Sequence, residues 1–146
     1  MAVDVVTEIV IDRPAAGVYA YAGDPSNAPE WYANIKSIKW LTPRPIALGS
    51  KLAFTASFLG RQLQYVYEVV ELVPGRRLAM RTSDGPFPME TIYTWEPLED
   101  GGTRMILRNR GNPAGFSKIA APLMAGAMRR ANQKDLRSLK AILERS

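Results

Sequence analysis

The sequence predicts an α+β fold: a curved antiparallel sheet of about seven strands wrapped around one long C-terminal helix, with two short helices after the first strand. Three observations carry that expectation. Alternating apolar and polar residues, cut by turn signals, run from residue 36 to about 111. A helical period replaces the alternation over residues 116–145, where Leu136, Leu139 and Leu143 share a face. Between the first strand and the sheet, prolines and helix caps divide the chain into short turns.

Residues 3–11, VDVVTEIVI, are β-branched and roughly alternating, which reads as a strand. Pro14 suits a first helical turn and Gly23 a helix end, with Val18, Tyr19 and Ala22 on one face. Asp24 followed by Pro25 repeats the start signal, and Pro29 limits the next helix to about one turn because an interior proline removes a hydrogen bond. The strand candidates are KSIKWLT, SKLAFTASFL, QLQYVYEVVEL, RLAMRTS, METIYTWEP and TRMILRNR. Gly60-Arg61, Pro74-Gly75 and Glu99–Gly102 supply turns between them. In the last strand Thr103, Met105 and Leu107 oppose Arg104, Arg108 and Arg110. Pro122 is expected to kink or divide the final helix.

A length of 146 residues suits a single domain spanning 1–146, and 47% hydrophobic against 23% charged residues is an ordinary globular balance. Cysteine and histidine are both absent. That excludes disulfides, thiolate chemistry, Cys/His zinc sites and every triad that uses a histidine base. No metal and no cofactor is expected. MAVDVVTEIV lacks the basic start and cleavage site of a signal peptide, and IAAPLMAGAM is too short for a membrane span. A cytoplasmic protein without an integral membrane segment is therefore expected. Net charge is +5. Much of the excess lies in the last helix (Arg129, Arg130, Lys134, Arg137, Lys140, Arg145) without interleaved aromatics, so it reads as a solvated face and no nucleic-acid partner is expected.

The candidate ligand-binding residues are aromatic and methionine side chains predicted to face the space between sheet and helix. They are Phe54, Phe58, Tyr65, Tyr67, Met80, Met89, Tyr93, Trp95 and Met105 from strands, and Met124 and Met128 from the helix. Trp31 and Tyr32 join them from the loop that precedes the sheet. Rings supply area, hydroxyls and indole N–H groups supply polar handles, and methionines adapt to shape. The 62–72 strand leaves its register open, since Val66, Val70 and Leu72 offer a competing face to Tyr65 and Tyr67. Glu68, Glu90 and Glu96 are expected on the outer, wet surface, and the row Arg104, Arg108, Arg110 beside them. No catalytic residue is assigned.

The segments IVIDRPAAGVYAYAGDPSNAPEW, GSKLAF, YEVVELVPGRRL, GGTRMIL and DLRSLKAILE together resemble the helix-grip superfamily of START lipid-transfer domains, birch-pollen-allergen-type proteins and polyketide cyclase/dehydratase-like proteins. In that resemblance Trp31, Pro74 and Gly102-Thr103 hold architectural positions, and no catalytic residue carries over. It implies an internal cavity for a hydrophobic small molecule, aromatic, polyketide-like or lipid-like, held by a carrier or sensor. The alternatives it leaves are a cyclase/dehydratase-type enzyme using cavity Tyr, Arg or acid groups, and a protein-interaction domain.

Overall fold

A computed structural model describes residues 3–58, 60–85, 87–112 and 121–145, without the side chains of Phe58 and Ala121. Strand β1 (Val3–Ile11) leads into helix α1 (Ala15–Ala22), a 3-10 turn (Pro25–Asn27) and the single-turn helix α2 (Ala28–Trp31). Strands β2 (Ile35–Trp40), β3 (Lys51–Phe58), β4 (Arg61–Val73), β5 (Arg77–Asp84), β6 (Met89–Pro97) and β7 (Thr103–Gly111) follow, and then helix α3 (Ala121–Arg145). The sheet order is β1-β7-β6-β5-β4-β3-β2, antiparallel throughout. Each hairpin from β2 to β7 pairs neighbours in sequence, and β1 closes onto β7.

Local chemistry accounts for the boundaries. Pro14 caps α1 in an extended conformation, and Gly23 ends it with its N–H on the Tyr19 carbonyl. The Asp24 carboxylate accepts from the Ser26 N–H at 3.0 Å, and Pro25 occupies the first turn that follows. At the β4–β5 turn Gly75 takes φ +77°, a value that costs a side-chain-bearing residue strain. The helix expected over 116–145 is described from Ala121. From there it runs as one element through Pro122, while the part of the expected helix before Pro122, residues 116–120, lies outside the described residues.

Parity decides which side chains enter the core. Along β1 and β7 burial alternates, which brings Val3, Val5, Ile11, Thr103, Met105 and Leu107 inside. In β4 the inward set Leu63, Tyr65, Tyr67, Val69 breaks at an irregularity between Val69 and Glu71, after which Leu72 pairs with buried Leu78. Both sequence readings of this strand are therefore partly right: Tyr65 and Tyr67 point inward, and the extra residue brings Leu72 to the same face.

Helix α3 lays Leu136, Leu139 and Leu143 onto Ile11, Val18, Trp95, Met105 and Leu107. Its end is tied to the end of β1: Glu144 accepts from the Asp12 N–H at 2.8 Å, Lys140 Nζ donates to the Val10 carbonyl at 2.8 Å, and Arg13 Nη2 donates to the Glu144 carbonyl at 2.7 Å. The opposite face of the sheet is wet. There Arg108 forks onto Asp4 at 2.9 and 2.6 Å, Arg104 reaches Glu96 at 3.4 Å, and Glu90 sits between Arg81 and Arg110. Among the described residues no helix is long and apolar enough to cross a membrane.

Leu139 is fully buried and Leu123 is 70% exposed. Leu139→Ala should lower unfolding free energy by about 2–5 kcal/mol in urea titrations. Leu123→Ala should stay within about 0.5 kcal/mol. Equal effects would contradict this packing.

Candidate functional site

The leucine half of α3 fills the interior, whereas the preceding half touches the sheet through Met124 against Val3 and Val5 and through Asn132 on Asn109 and leaves a gap beside them. Its inward stripe passes through Met128, Ala131, Asn132 and Asp135, and opposite these side chains lies a cavity of about 140 Å³. A single water needs roughly 10–15 Å³ of such space, so the void has room for an organic molecule. Ile35, Phe54, Ala56, Leu63, Met80 and Met89 give it apolar walls. Tyr65, Tyr67, Tyr93 and Tyr32 add rings whose hydroxyls are polar, and Phe87 closes part of the outline. Phe54 stacks on Tyr65 at 5.9 Å, and Tyr67 meets both edge-on at 5.6 and 5.3 Å.

One edge of the cavity is polar and internally bonded. Tyr67 and Thr91 hydroxyls are 2.8 Å apart, Asn109 Nδ2 donates to Thr91 Oγ1 at 2.8 Å, and Asn132 Nδ2 donates to Asn109 Oδ1 at 2.6 Å. This chain joins β4, β6, β7 and α3 in the buried interior, where each bond avoids the cost of an unsatisfied polar atom. A second pair links the Tyr32 and Tyr93 hydroxyls at 2.6 Å. Burial raises the pKa of Tyr67, Tyr93 and Tyr32, and pushes Tyr65 up to about 12, so all stay protonated at neutral pH.

Asp135 is the charged residue of the lining. It is 3% exposed, and one oxygen accepts from the Ala33 N–H at 3.0 Å. Burial raises its pKa to about 6, against the lowering effects of the Ala33 N–H and Lys134. Among the described residues no cluster of acids could hold a metal ion.

Of the predicted site residues, Tyr32, Phe54, Tyr65, Tyr67, Met80, Met89, Tyr93 and Met128 line the cavity. The side chain of Phe58 lies outside the described residues. Four others are placed elsewhere. Trp31 is 2% exposed and sits behind Tyr32, its ring 4.1 Å from that ring and 6.0 Å from Tyr93. Trp95 and Met105 are cross-strand partners in the packed end of the core, where Tyr19 meets Trp95 edge-on at 5.2 Å and the α3 leucines fill the space. Met124 packs with Val3 and Val5 in a separate buried cluster. The buried Trp31 cannot serve as an exposed docking knob.

Sequence reasoning missed Asn109, Asn132 and Asp135. Asn109 shares the parity of Thr103, Met105 and Leu107, which already marked it as inward. Asn132 and Asp135 fall four and seven residues after Met128 and four before Leu136 and Leu139, on the stripe that the leucines define. Polar residues on that stripe were the available signal. Glu90 and Glu96 lie on the outer face beside arginines, as their parity implies.

The family model described as "Polyketide cyclase / dehydrase and lipid transport" matches residues 2–144, and the chain belongs to that family. No curated protein sequence matches the chain significantly. Solved structures share its fold across their lengths. A START superfamily protein from Mycobacterium smegmatis superposes with a TM-score of 0.84 at 14% identity, covering 97% of each chain. The Zhui aromatase/cyclase from Streptomyces sp. R1128 gives 0.79 at 17% identity, over 99% of this chain and 95% of that one. The ginseng major latex-like protein from Panax ginseng gives 0.75 at 12% identity over 96% of each. At these identities the likeness establishes the helix-grip fold.

Asp135 has a native pKa above its ordinary value of 3.8, so folding takes up a proton between about pH 4 and 6. Its contribution to stability is fully present below pH 4 and is lost as pH rises through 6. Asp135→Asn keeps an acceptor for Ala33. It should match the wild type in urea unfolding near pH 4 and exceed it by about 1–3 kcal/mol at pH 8. A flat difference across that range would contradict the buried carboxylate.

Proposed function

With that family membership as the premise, we propose that the chain binds a hydrophobic small molecule, aromatic, polyketide-like or lipid-like, in the cavity beneath α3, acting as a carrier or sensor in the cytoplasm. One observation carries the reading: a partly open, aromatic- and methionine-walled space of about 140 Å³ with polar groups along one edge. A ligand that buries about 200 Å² of apolar surface there gains about 5 kcal/mol before the costs of association. Methionines at 80, 89 and 128 can repack around different shapes.

A second reading is favoured by Asp135. A cyclase/dehydratase-type enzyme needs an ionisable group facing the cavity, and a carboxyl that titrates near pH 6 can exchange protons at neutral pH. In that reading Asp135 moves the proton, and the hydroxyl left free to donate in the Tyr32–Tyr93 pair polarises a carbonyl.

Native mass spectrometry of protein purified without denaturation should show a retained small molecule. The neutral dye N-phenyl-1-naphthylamine should bind with enhanced fluorescence. Ala56→Trp, which fills the cavity from β3, should abolish both while preserving the circular dichroism spectrum. No retained molecule and no dye binding would refute the reading. For the enzymatic alternative, the assay is water loss from an aryl β-hydroxy ketone, followed by enone absorbance. A rate equal to that of buffer alone ends it.

A further inference from the structure

We propose that the ligand of this cavity carries a protonated amine, seated with its ammonium against Asp135 and its apolar body against the tyrosine and phenylalanine rings; this rests on reading the cavity as a binding site. The argument begins with charge. Among the described residues no lysine or arginine lines the cavity, and Asp135 is the charged residue of the lining. Asp135 as a residue is 3% exposed, and its Oδ1 accepts one backbone N–H. Among the described residues its second oxygen has no partner. Asn132, one helical turn earlier, uses its Nδ2 on Asn109 and leaves its own Oδ1 without a partner among the described residues. Two acceptors three residues apart on one helix face thus stand against the cavity. An ammonium group has donors for both and supplies the missing counter-charge.

The remaining walls suit such a cation. Phe54, Tyr65 and Tyr67 form a contiguous cluster of rings, and Tyr32 and Tyr93 stand with Asp135 in the lining. Aromatic faces attract cations, most strongly where water is excluded. A carboxylate-bearing ligand would meet Asp135 with like charge and find no cation among the described lining residues. A neutral ligand would leave the buried carboxylate unpaired.

The groups that face Asp135 from neighbouring elements are few. Tyr32 comes from the end of α2 and Tyr93 from β6, and both couple to it electrostatically. Lys134 is its neighbour on α3, and its side chain is exposed. The tyrosines stay neutral through the relevant pH range, so the carboxyl alone changes charge there. The elevated pKa of Asp135 fits a carboxylate that lacks a counter-ion.

The test uses three ligands with one ring system: 2-(1-naphthyl)ethylamine, 2-(1-naphthyl)ethanol and 1-naphthylacetate. Calorimetric titration of the full chain at pH 8 should rank the amine at least tenfold tighter than the alcohol, with the carboxylate weakest. At pH 5 the amine's advantage should shrink. In Asp135→Asn, checked for an unchanged unfolding midpoint or better, the amine-to-alcohol ratio should fall to near one. Independently, the Asp135 carboxyl ¹³C titration should move to lower pH when the amine is added and not when the alcohol is added. An amine no tighter than the alcohol, an advantage that survives in Asp135→Asn, or a carboxyl titration unmoved by the amine overturns the inference while leaving apolar binding standing. Binding by none of the three overturns the cavity reading and this inference with it.

Discussion

The inward stripe of α3 decides where the interior is filled and where it is hollow. Over its last turns the stripe is Leu136, Leu139 and Leu143, and these side chains are long enough to meet Ile11, Met105 and Leu107 on the sheet. Over the preceding turns it is Ala131, Asn132 and Asp135, whose shorter side chains leave a hollow beside the point where Asn132 reaches Asn109 on β7. Because the helix is a stiff rod fixed at its far end to β1 through Lys140 and Glu144, it cannot tilt into the gap without breaking those bonds. The curved sheet therefore keeps its distance, and close packing fails locally. A hollow of this kind forfeits dispersion contacts along its lining, so the leucine half has to hold the fold.

The same logic explains which features were legible in the sequence. The strands, turns and long helix follow from period and from Gly/Pro punctuation, and they appear with the expected order. The site was legible only in part. Tyr65, Tyr67 and Tyr93 could be placed by parity, yet parity says only that a residue faces inward. It does not say whether that stretch of interior is packed or empty. Trp95 and Met105 share the inward face with Tyr93 and Thr91 and still miss the cavity, because α1 and the α3 leucines cover their end of the sheet. The irregularity in β4 was illegible for another reason: a single extra residue leaves no compositional mark, and it reconciles two faces that the alternation rule treats as exclusive. Asp135 falls within the charged helix that reads as a solvated face, although its spacing from Leu139 and Met128 assigns it to the buried stripe.

Charge is sorted by environment as well as by position. On the outer face of the sheet the strand arginines have acids across from them, in exposed pairs that contribute little individually. Lys134 and Asp135 are adjacent in sequence and sit in opposite settings. Lys134 is exposed, where solvent and salt weaken its field, and Asp135 is desolvated. The lysine lowers the carboxyl's pKa less than burial raises it, so proximity in sequence does not neutralise the acid.

Two kinds of polar group line this cavity, and the difference between them locates recognition. Tyr67, Thr91, Asn109 and Asn132 bond to one another across four elements. Their mutual bonds would have to be broken before a ligand could take full advantage of them, so their first role is to hold the cavity's shape. Asp135 and the Tyr32–Tyr93 pair retain unused capacity: a carboxylate oxygen without a partner among the described residues, and one hydroxyl proton left over when the other bridges the pair. A ligand gains most where it satisfies a polar group that the protein leaves with spare bonding capacity, because no internal bond has to be broken first. In the proposed binding role, selectivity therefore sits at the junction of α2 and α3, and the apolar walls supply affinity to whatever shape that junction accepts.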